Sequence, residues 1–258
     1  RHGLMFHVVI PARFNSTRLP GKALVDIHGY PMVYWVWQRA LQAAAASVIV
    51  ATDDERIEQA MTSLGADVVM TRVDHPSGTD RLAEVADTMA WPDDTIIVNL
   101  QGDEPLMPAS NLSRVAELLE DNPTAAVATL ATPINDCHEF SDEAAVKVVC
   151  DYRGRALYFS RASIPAKRGV PPANPSNSAL ASAKRHIGLY AYRSGFLRQF
   201  VHWTPAPIEQ LEGLEQLRAL YYGETIMVSE PASPVPAGVD TPDDLARVRA
   251  LPRSYFDT

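Results

Sequence analysis

The chain has 258 residues, is 47% hydrophobic and carries a formal net charge of −8. That length and apolar content suffice for one large domain, or one domain with a sizeable insertion. The acidic balance excludes nonspecific nucleic-acid binding, which needs a basic footprint, but leaves room for a small polyanion at a local cluster of cations. No apolar run approaches the length of a membrane span, and no signal-peptide pattern appears. A single domain is expected over residues 5–258, with the four residues before Met5 read as a cloning remnant. Cys137 and Cys150 lie far apart without metal-ligand spacing and are read as reduced thiols of a cytosolic protein.

The first apolar run, Val8 to Ile10, predicts a buried strand. The chain turns at Pro11 and stays irregular through Pro20 and Gly21, and Arg13, Arg18 and Lys22 all fall in that loop. A loop leaving the first buried strand is where open α/β sheets bind ligands. Cations with free backbone N–H groups there suit a polyphosphate, although a solvated basic loop accounts for the same residues. The spacing is not that of a Walker A loop. Helices are expected over residues 32–46, 55–64 and 80–89, between strands at 47–51, 67–71 and 95–100. Pro31 and Asp54 suit helix starts and Gly65 a helix end. Continuous apolar strands separated by helices predict a parallel sheet covered on both faces.

The second half reads differently. Strands are expected at 126–131, 146–150 and 156–160 with no helix between them, and Asp151-Tyr-Arg-Gly154 predicts a turn that makes the last two a hairpin. A further strand at 187–192 completes an antiparallel sector at about 126–192. Residues 165–184 hold four prolines and no periodicity, so a long surface loop is expected. Helices return at 194–202, 208–222 and 242–251.

Five segments carry candidate chemistry. The strand at 95–100 runs into Gln101-Gly-Asp103-Glu104, where Asp103 suits Mg²⁺ and equally suits a turn or helix cap. Asp240 precedes Thr241-Pro242; Thr241 is the expected cap of the last helix, which leaves Asp240 free. Ser77, Gly78 and Arg81 open a helix, either to meet a base or phosphate or as an ordinary cap. His186 and Tyr190 belong to a basic and aromatic strand start, where a lone His is more often structural. Glu209, Glu212 and Glu215 recur every three residues, as a solvated acidic face or, at Glu215-Gln216, as contacts to sugar hydroxyls.

Ile10-Pro-Ala-Arg13, Ser16-Thr-Arg-Leu-Pro-Gly-Lys22, Val50-Ala-Thr-Asp53, residues 75–81, Asn99-Leu-Gln-Gly-Asp-Glu-Pro105, Tyr158-Phe-Ser-Arg161, Arg185-His-Ile-Gly-Leu-Tyr190, Leu214-Glu-Gln-Leu-Arg218 and Gly238-Val-Asp-Thr-Pro242 occur in one order along the chain. In that order they resemble the 3-deoxy-manno-octulosonate cytidylyltransferase family, over residues 8–251. The resemblance implies an α/β nucleotide-diphospho-sugar transferase (GT-A-like) fold. This is a three-layer α/β/α sandwich whose mostly parallel central sheet carries an antiparallel sector in the second half. It implies CTP and Kdo (3-deoxy-D-manno-octulosonate) as substrates, CMP-Kdo and pyrophosphate as products, and Mg²⁺ as cofactor. It also implies a cytoplasmic homodimer, with no nucleic-acid or membrane partner, that serves lipopolysaccharide synthesis.

By matching motif, Ala12 and Arg13 begin the nucleotide loop, and Arg18 and Lys22 face the triphosphate. Ser77, Gly78 and Arg81 lie near the cytosine, and Asp103 and Asp240 hold the metal. Gln101, Arg161, His186, Tyr190, Glu215 and Gln216 surround the Kdo. The sequence departs from the family at Tyr30, where basic residues are common, at Ala23, where Pro is common, and over residues 166–184, which match poorly. Three other readings compete. A cytidylyltransferase for 8-amino-Kdo or sialic acid keeps the same motifs. A non-catalytic nucleotide-binding module does not need both metal carboxylates. A GT-A glycosyltransferase usually carries D-x-D, which Gly102-Asp103-Glu104 lacks.

Overall fold

A computed structural model describes residues 4–170 and 177–256, and its centre is a nine-stranded sheet. The first half comprises β1 (Phe6–Ala12), the short hairpin β2 (Asp26–Ile27) and β3 (Tyr30–Pro31), α1 (Met32–Leu41), β4 (Ser47–Thr52), α2 (Glu55–Ser63), β5 (Asp67–Met70), α3 (Gly78–Thr88) and β6 (Ile96–Asn99). Strands β5, β4, β1 and β6 are parallel neighbours, as the strand–helix alternation predicts. Side chains alternate across β1, and both faces are apolar. Val8 and Ile10 pack with α1, while Val9 packs with Leu82 and Val85 of α3. The result is three layers, α/β/α. Leu4 packs against the first of these cores.

The second half comprises α4 (Ala109–Glu120), β7 (Val127–Pro133), α5 (Cys137–Ser141), β8 (Lys147–Cys150), β9 (Ala156–Ser160), α6 (Asn177–Ser182), β10 (Lys184–Arg193), α7 (Ser194–Phe200), α8 (Pro207–Glu212), α9 (Gln216–Tyr221), β11 (Ile226–Ser229) and α10 (Pro242–Arg249). The sheet order is β11-β7-β10-β6-β1-β4-β5. Strand β10 runs antiparallel between β6 and β7, and its start also pairs with β8, which forms the expected hairpin with β9.

Several elements differ from the sequence expectation. Helix α4 was not among the predicted elements, although Leu112, Val115, Ala116 and Leu119 form a buried i, i+3, i+4, i+7 stripe. Strand β11 closes one edge of the sheet through parallel pairing with β7. The helix expected over 208–222 is broken, because Gly213 adopts a left-handed φ of 62° and ends α8. The helix expected over 32–46 stops at Leu41, and Ala44 takes a positive φ of 56°. A short helix, α5, interrupts the supposed run of strands, with Asp136 as its cap. Within the stretch read as loop, residues 177–182 are helical and Lys184 already belongs to β10; residues 171–176 lie outside the described residues.

One irregularity shapes the second half. The register of β10 against β7 shifts between Ile187 and Tyr190. The buried Thr129 hydroxyl fills that bulge, 3.1 Å from the Ile187 carbonyl, 2.8 Å from the Leu189 carbonyl and 2.9 Å from His186 Nε2. In a flat strand, residues four apart stand about 13 Å from each other. Here the rings of His186 and Tyr190 are 5.3 Å apart, as a bulge that re-aims side chains allows. Thr129→Val keeps the side-chain shape and removes the hydroxyl. It is expected to lower the free energy of unfolding by about 1–3 kcal/mol in urea titration, the cost of buried groups left without a partner.

Candidate active site

The C-terminal ends of the parallel strands β1 and β6 open into a cleft of about 390 Å³, walled by Ala12, Arg13, Arg18, Lys22, Gln101 and Asp103. This is the position at which open α/β sheets take ligands. Gly21 turns the first loop with a left-handed φ of 64°, and Lys22 follows it into a 3₁₀ turn. The Lys22 ammonium donates to Asp103 Oδ2 at 2.7 Å and to Asp240 Oδ1 at 3.0 Å. Arg18 lies 3.1 Å from the same Asp240 oxygen. Burial opposes the charge on Lys22, but hydrogen bonds and attraction from the two carboxylates prevail and hold its pKa above the ordinary value.

Backbone contacts fix these carboxylates. A Cβ on Gly102 would stand 2.9 Å from the Pro11 carbonyl oxygen, so only glycine lets the β1 and β6 loops meet this closely. The Val239 N–H donates to the Asp103 carbonyl at 2.9 Å, which sets Asp240 beside Asp103. Thr241 caps α10, and Asp244 accepts the backbone N–H groups of Asp240 and Thr241, so Asp240 has no capping duty. Next to them, burial first and then the charges of Asp103 and Asp240 push Glu104 up to about 8, leaving it protonated at neutral pH.

Two carboxylates converging on one cation fit Mg²⁺, which commonly takes one or two carboxylates and fills its shell with phosphate and water. Among the described residues, no three His, Cys, Asp or Glu side chains form a metal cluster. Further ligands would therefore come from substrate and solvent.

The residues expected near a base divide. Arg13 donates to the His75 carbonyl at 2.9 Å, tying the first loop to the turn before α3. Gly78 lies on the cleft wall. Ser77 caps α3, accepting from the Asp80 N–H and donating to Asp80 Oδ2 at 2.5 Å, so the ordinary capping role is realised. Arg81 is the third residue expected near the cytosine. Its side chain is 0% exposed and is held by Asp53 at 2.9 Å and by Thr71, so in this conformation it braces the end of β4 from behind.

A second, smaller cavity of about 130 Å³ adjoins the cleft and shares Gly78 and Gln101 with it. Tyr190, Glu215 and Gln216 line it, with Tyr192, Phe196 and Phe200 as its aromatic side. Glu215 accepts a hydrogen bond from Thr79. Four of the six expected sugar-side residues thus meet here. The other two are engaged elsewhere. Arg161 donates to the main-chain carbonyls of Glu212 at 2.7 Å and Glu143 at 3.0 Å, so it positions the α8 turn. His186 is bonded to Thr129 and packed against Phe159 and Tyr190; burial pushes it down to about 3, so it is neutral and poorly suited as a general base. Sequence reasoning missed Asn99, Thr79 and Tyr192, which also line this cavity, and Glu104. For Asn99 the available signal was a polar residue ending an apolar strand.

Comparison with known proteins shows what the chain is similar to. The family model for cytidylyltransferases matches residues 7–226. A Chromohalobacter salexigens protein named 3-deoxy-manno-octulosonate cytidylyltransferase is 56% identical over 244 residues, covering 95% of both chains. A Tolumonas auensis protein of the same name is 54% identical, covering 95% of this chain and 96% of its own. A solved structure of CMP:2-keto-3-deoxy-manno-octonic acid synthetase complexed with CTP superposes with a TM-score of 0.85 at 43% identity, over 95% of this chain and 97% of that one. A cytidylyltransferase structure from Leptospira borgpetersenii shares the fold, with a TM-score of 0.60 at 16% identity.

Two outcomes test the charge arrangement. Lys22→Met leaves two carboxylates facing each other without their counter-ion. It is expected to cost about 1–3 kcal/mol of unfolding free energy at pH 7, read by urea titration. Glu104 binds its proton more tightly in the folded chain than in the unfolded one, so its contribution to stability falls as pH rises from 4.5 to about 8. Glu104→Gln is expected to flatten that decline, read as Tm across the same pH range.

Proposed function

The chain belongs to the cytidylyltransferase family, among its 3-deoxy-manno-octulosonate members, and on that premise we propose its reaction. It transfers CMP from CTP to the anomeric hydroxyl of Kdo, giving CMP-Kdo and pyrophosphate. The observation that carries this reading is a cationic cleft and a polar, aromatic-walled cavity that share Gly78 and Gln101, with the Lys22–Asp103–Asp240 cluster beside that shared wall.

The chemistry needs positioning and charge neutralisation more than a covalent partner. Arg13, Arg18 and Lys22 receive the triphosphate in the cleft. The anomeric hydroxyl gives up its proton to solvent water, and its oxygen forms a bond to the α-phosphorus in line as the bond from that phosphorus to the pyrophosphate oxygen breaks. Lys22 and Arg18 stabilise the charge that grows on the leaving pyrophosphate. Asp103 and Asp240 are the carboxylates that would hold Mg²⁺, which when bound neutralises phosphate charge and makes a nearby hydroxyl more acidic. Gln101, Tyr190, Glu215 and Gln216 hold the sugar, while Arg161 and His186 support the strand and turn that carry that wall.

The same reading makes the enzyme a cytoplasmic homodimer whose product serves lipopolysaccharide synthesis. Apolar side chains left open on the second half support a surface for a second copy, with Leu157 62% and Leu211 87% exposed. Among the described residues, no helix is long and apolar enough to cross a membrane.

Pyrophosphate release from CTP is to be measured with Kdo, 8-amino-Kdo and sialic acid, with and without Mg²⁺. Turnover is expected with Mg²⁺ and with Kdo as the preferred sugar; a higher kcat/KM for either other sugar overturns the substrate assignment. Asp103→Asn and Asp240→Asn are each expected to lower kcat by about 10²-fold or more while the protein stays folded by circular dichroism. Near-normal turnover of either variant at saturating Mg²⁺ removes that carboxylate from the metal site.

A further inference from the structure

The small cavity contains one polar atom that the described residues leave unanswered. Asn99 ends β6, is 2% exposed and lines the cavity, yet its Oδ1 has no hydrogen-bond partner among the described residues. A buried acceptor left open in this way calls for an explanation.

Thr79, Tyr192 and Glu215 line the same cavity as Asn99, and the Thr79 hydroxyl donates to Glu215. Asn99 also faces Tyr190 across the β6–β10 pairing, on the wall expected to carry the sugar.

We propose that Asn99 is a specificity-determining residue whose Oδ1 accepts a hydrogen bond from one hydroxyl of the acidic sugar. The proposal rests on the cavity holding the sugar. A site built around a fixed acceptor selects a hydroxyl over a group of equal size that cannot donate, because the mismatch leaves the acceptor buried and empty.

The test uses the full chain with CTP, Kdo and a set of Kdo analogues in which one hydroxyl at a time, other than the reacting anomeric one, is replaced by fluorine. In the parent, one analogue is expected to lose about tenfold or more in kcat/KM, mainly through KM. Asn99→Ala is expected to show a similar loss with Kdo and to treat Kdo and that analogue within about threefold of each other. Its KM for CTP should stay within about twofold of the parent's. Losses that simply multiply for every analogue overturn the proposal, as does a KM for CTP that rises with the KM for Kdo. Should Asn99→Ala fail to fold, Asn99→Ser replaces it. The parent series also decides alone if no analogue loses more than about threefold, since the acceptor then has no sugar partner. Absence of any pyrophosphate release by the parent with CTP and Kdo overturns the functional reading and this assignment together. Turnover by the parent with multiplicative losses overturns only the assignment.

Discussion

A single ammonium group holds the site together. Lys22 bonds to Asp103, 81 residues away, and to Asp240, 218 residues away. The first loop, the end of a central strand and the approach to the last helix therefore meet at one atom. Close backbone packing at Gly102 against Pro11, and the Val239 bond to Asp103, allow the meeting without leaving room for drift. The charges balance locally: Lys22 and Arg18 face Asp103 and Asp240, while Glu104 stays protonated. On the proposed reading, a divalent cation and a polyphosphate would enter as a matched pair, the cation taking over the carboxylates and the ammonium turning to phosphate. Either guest alone leaves charge uncompensated in a partly buried place, which is costly.

The sheet assigns the cleft and the cavity to two halves. Parallel strands deliver the cationic loop and Asp103 to one rim. The antiparallel β10 enters beside β6 and brings Tyr190 and Tyr192 to the same rim from the opposite direction. Its bulge, filled by Thr129, separates the part of β10 whose other edge pairs with β6 from the part whose other edge pairs with β8, while β7 pairs with both and His186 and Tyr190 stay close. A sheet of parallel strands alone would offer the cleft without the aromatic-walled cavity.

How much of this was legible in the sequence depended on the range of the interaction involved. Alternating apolar strands and helices gave the parallel half, and the turn at 151–154 gave the hairpin, because both signals are local. Helix α4 carried an equally local stripe at Leu112, Val115, Ala116 and Leu119, and was legible though unread. The break at Gly213 turns on one left-handed residue inside an otherwise helical pattern. Motif order brought together Arg18, Lys22, Asp103 and Asp240. The fates of Arg81 and Arg161 could not be read this way. Both look like ligand-binding cations in one dimension. One is buried on Asp53, and the other is engaged by main-chain carbonyls that only the folded chain presents.

The shared wall of Gly78 and Gln101 has a consequence for inhibition. On the proposed reading the cleft takes the nucleotide, and because Gly78 and Gln101 line both it and the small cavity, one molecule reaching past them would meet both. A cytidine phosphate tethered to a compact polyol would give up its translational freedom once instead of twice. Its second half would then experience the high effective concentration that a short tether provides. Selectivity in such a compound would come from the cavity end, where shape and donor pattern are particular to this site. The cationic cleft would contribute attraction that many phosphorylated metabolites can share.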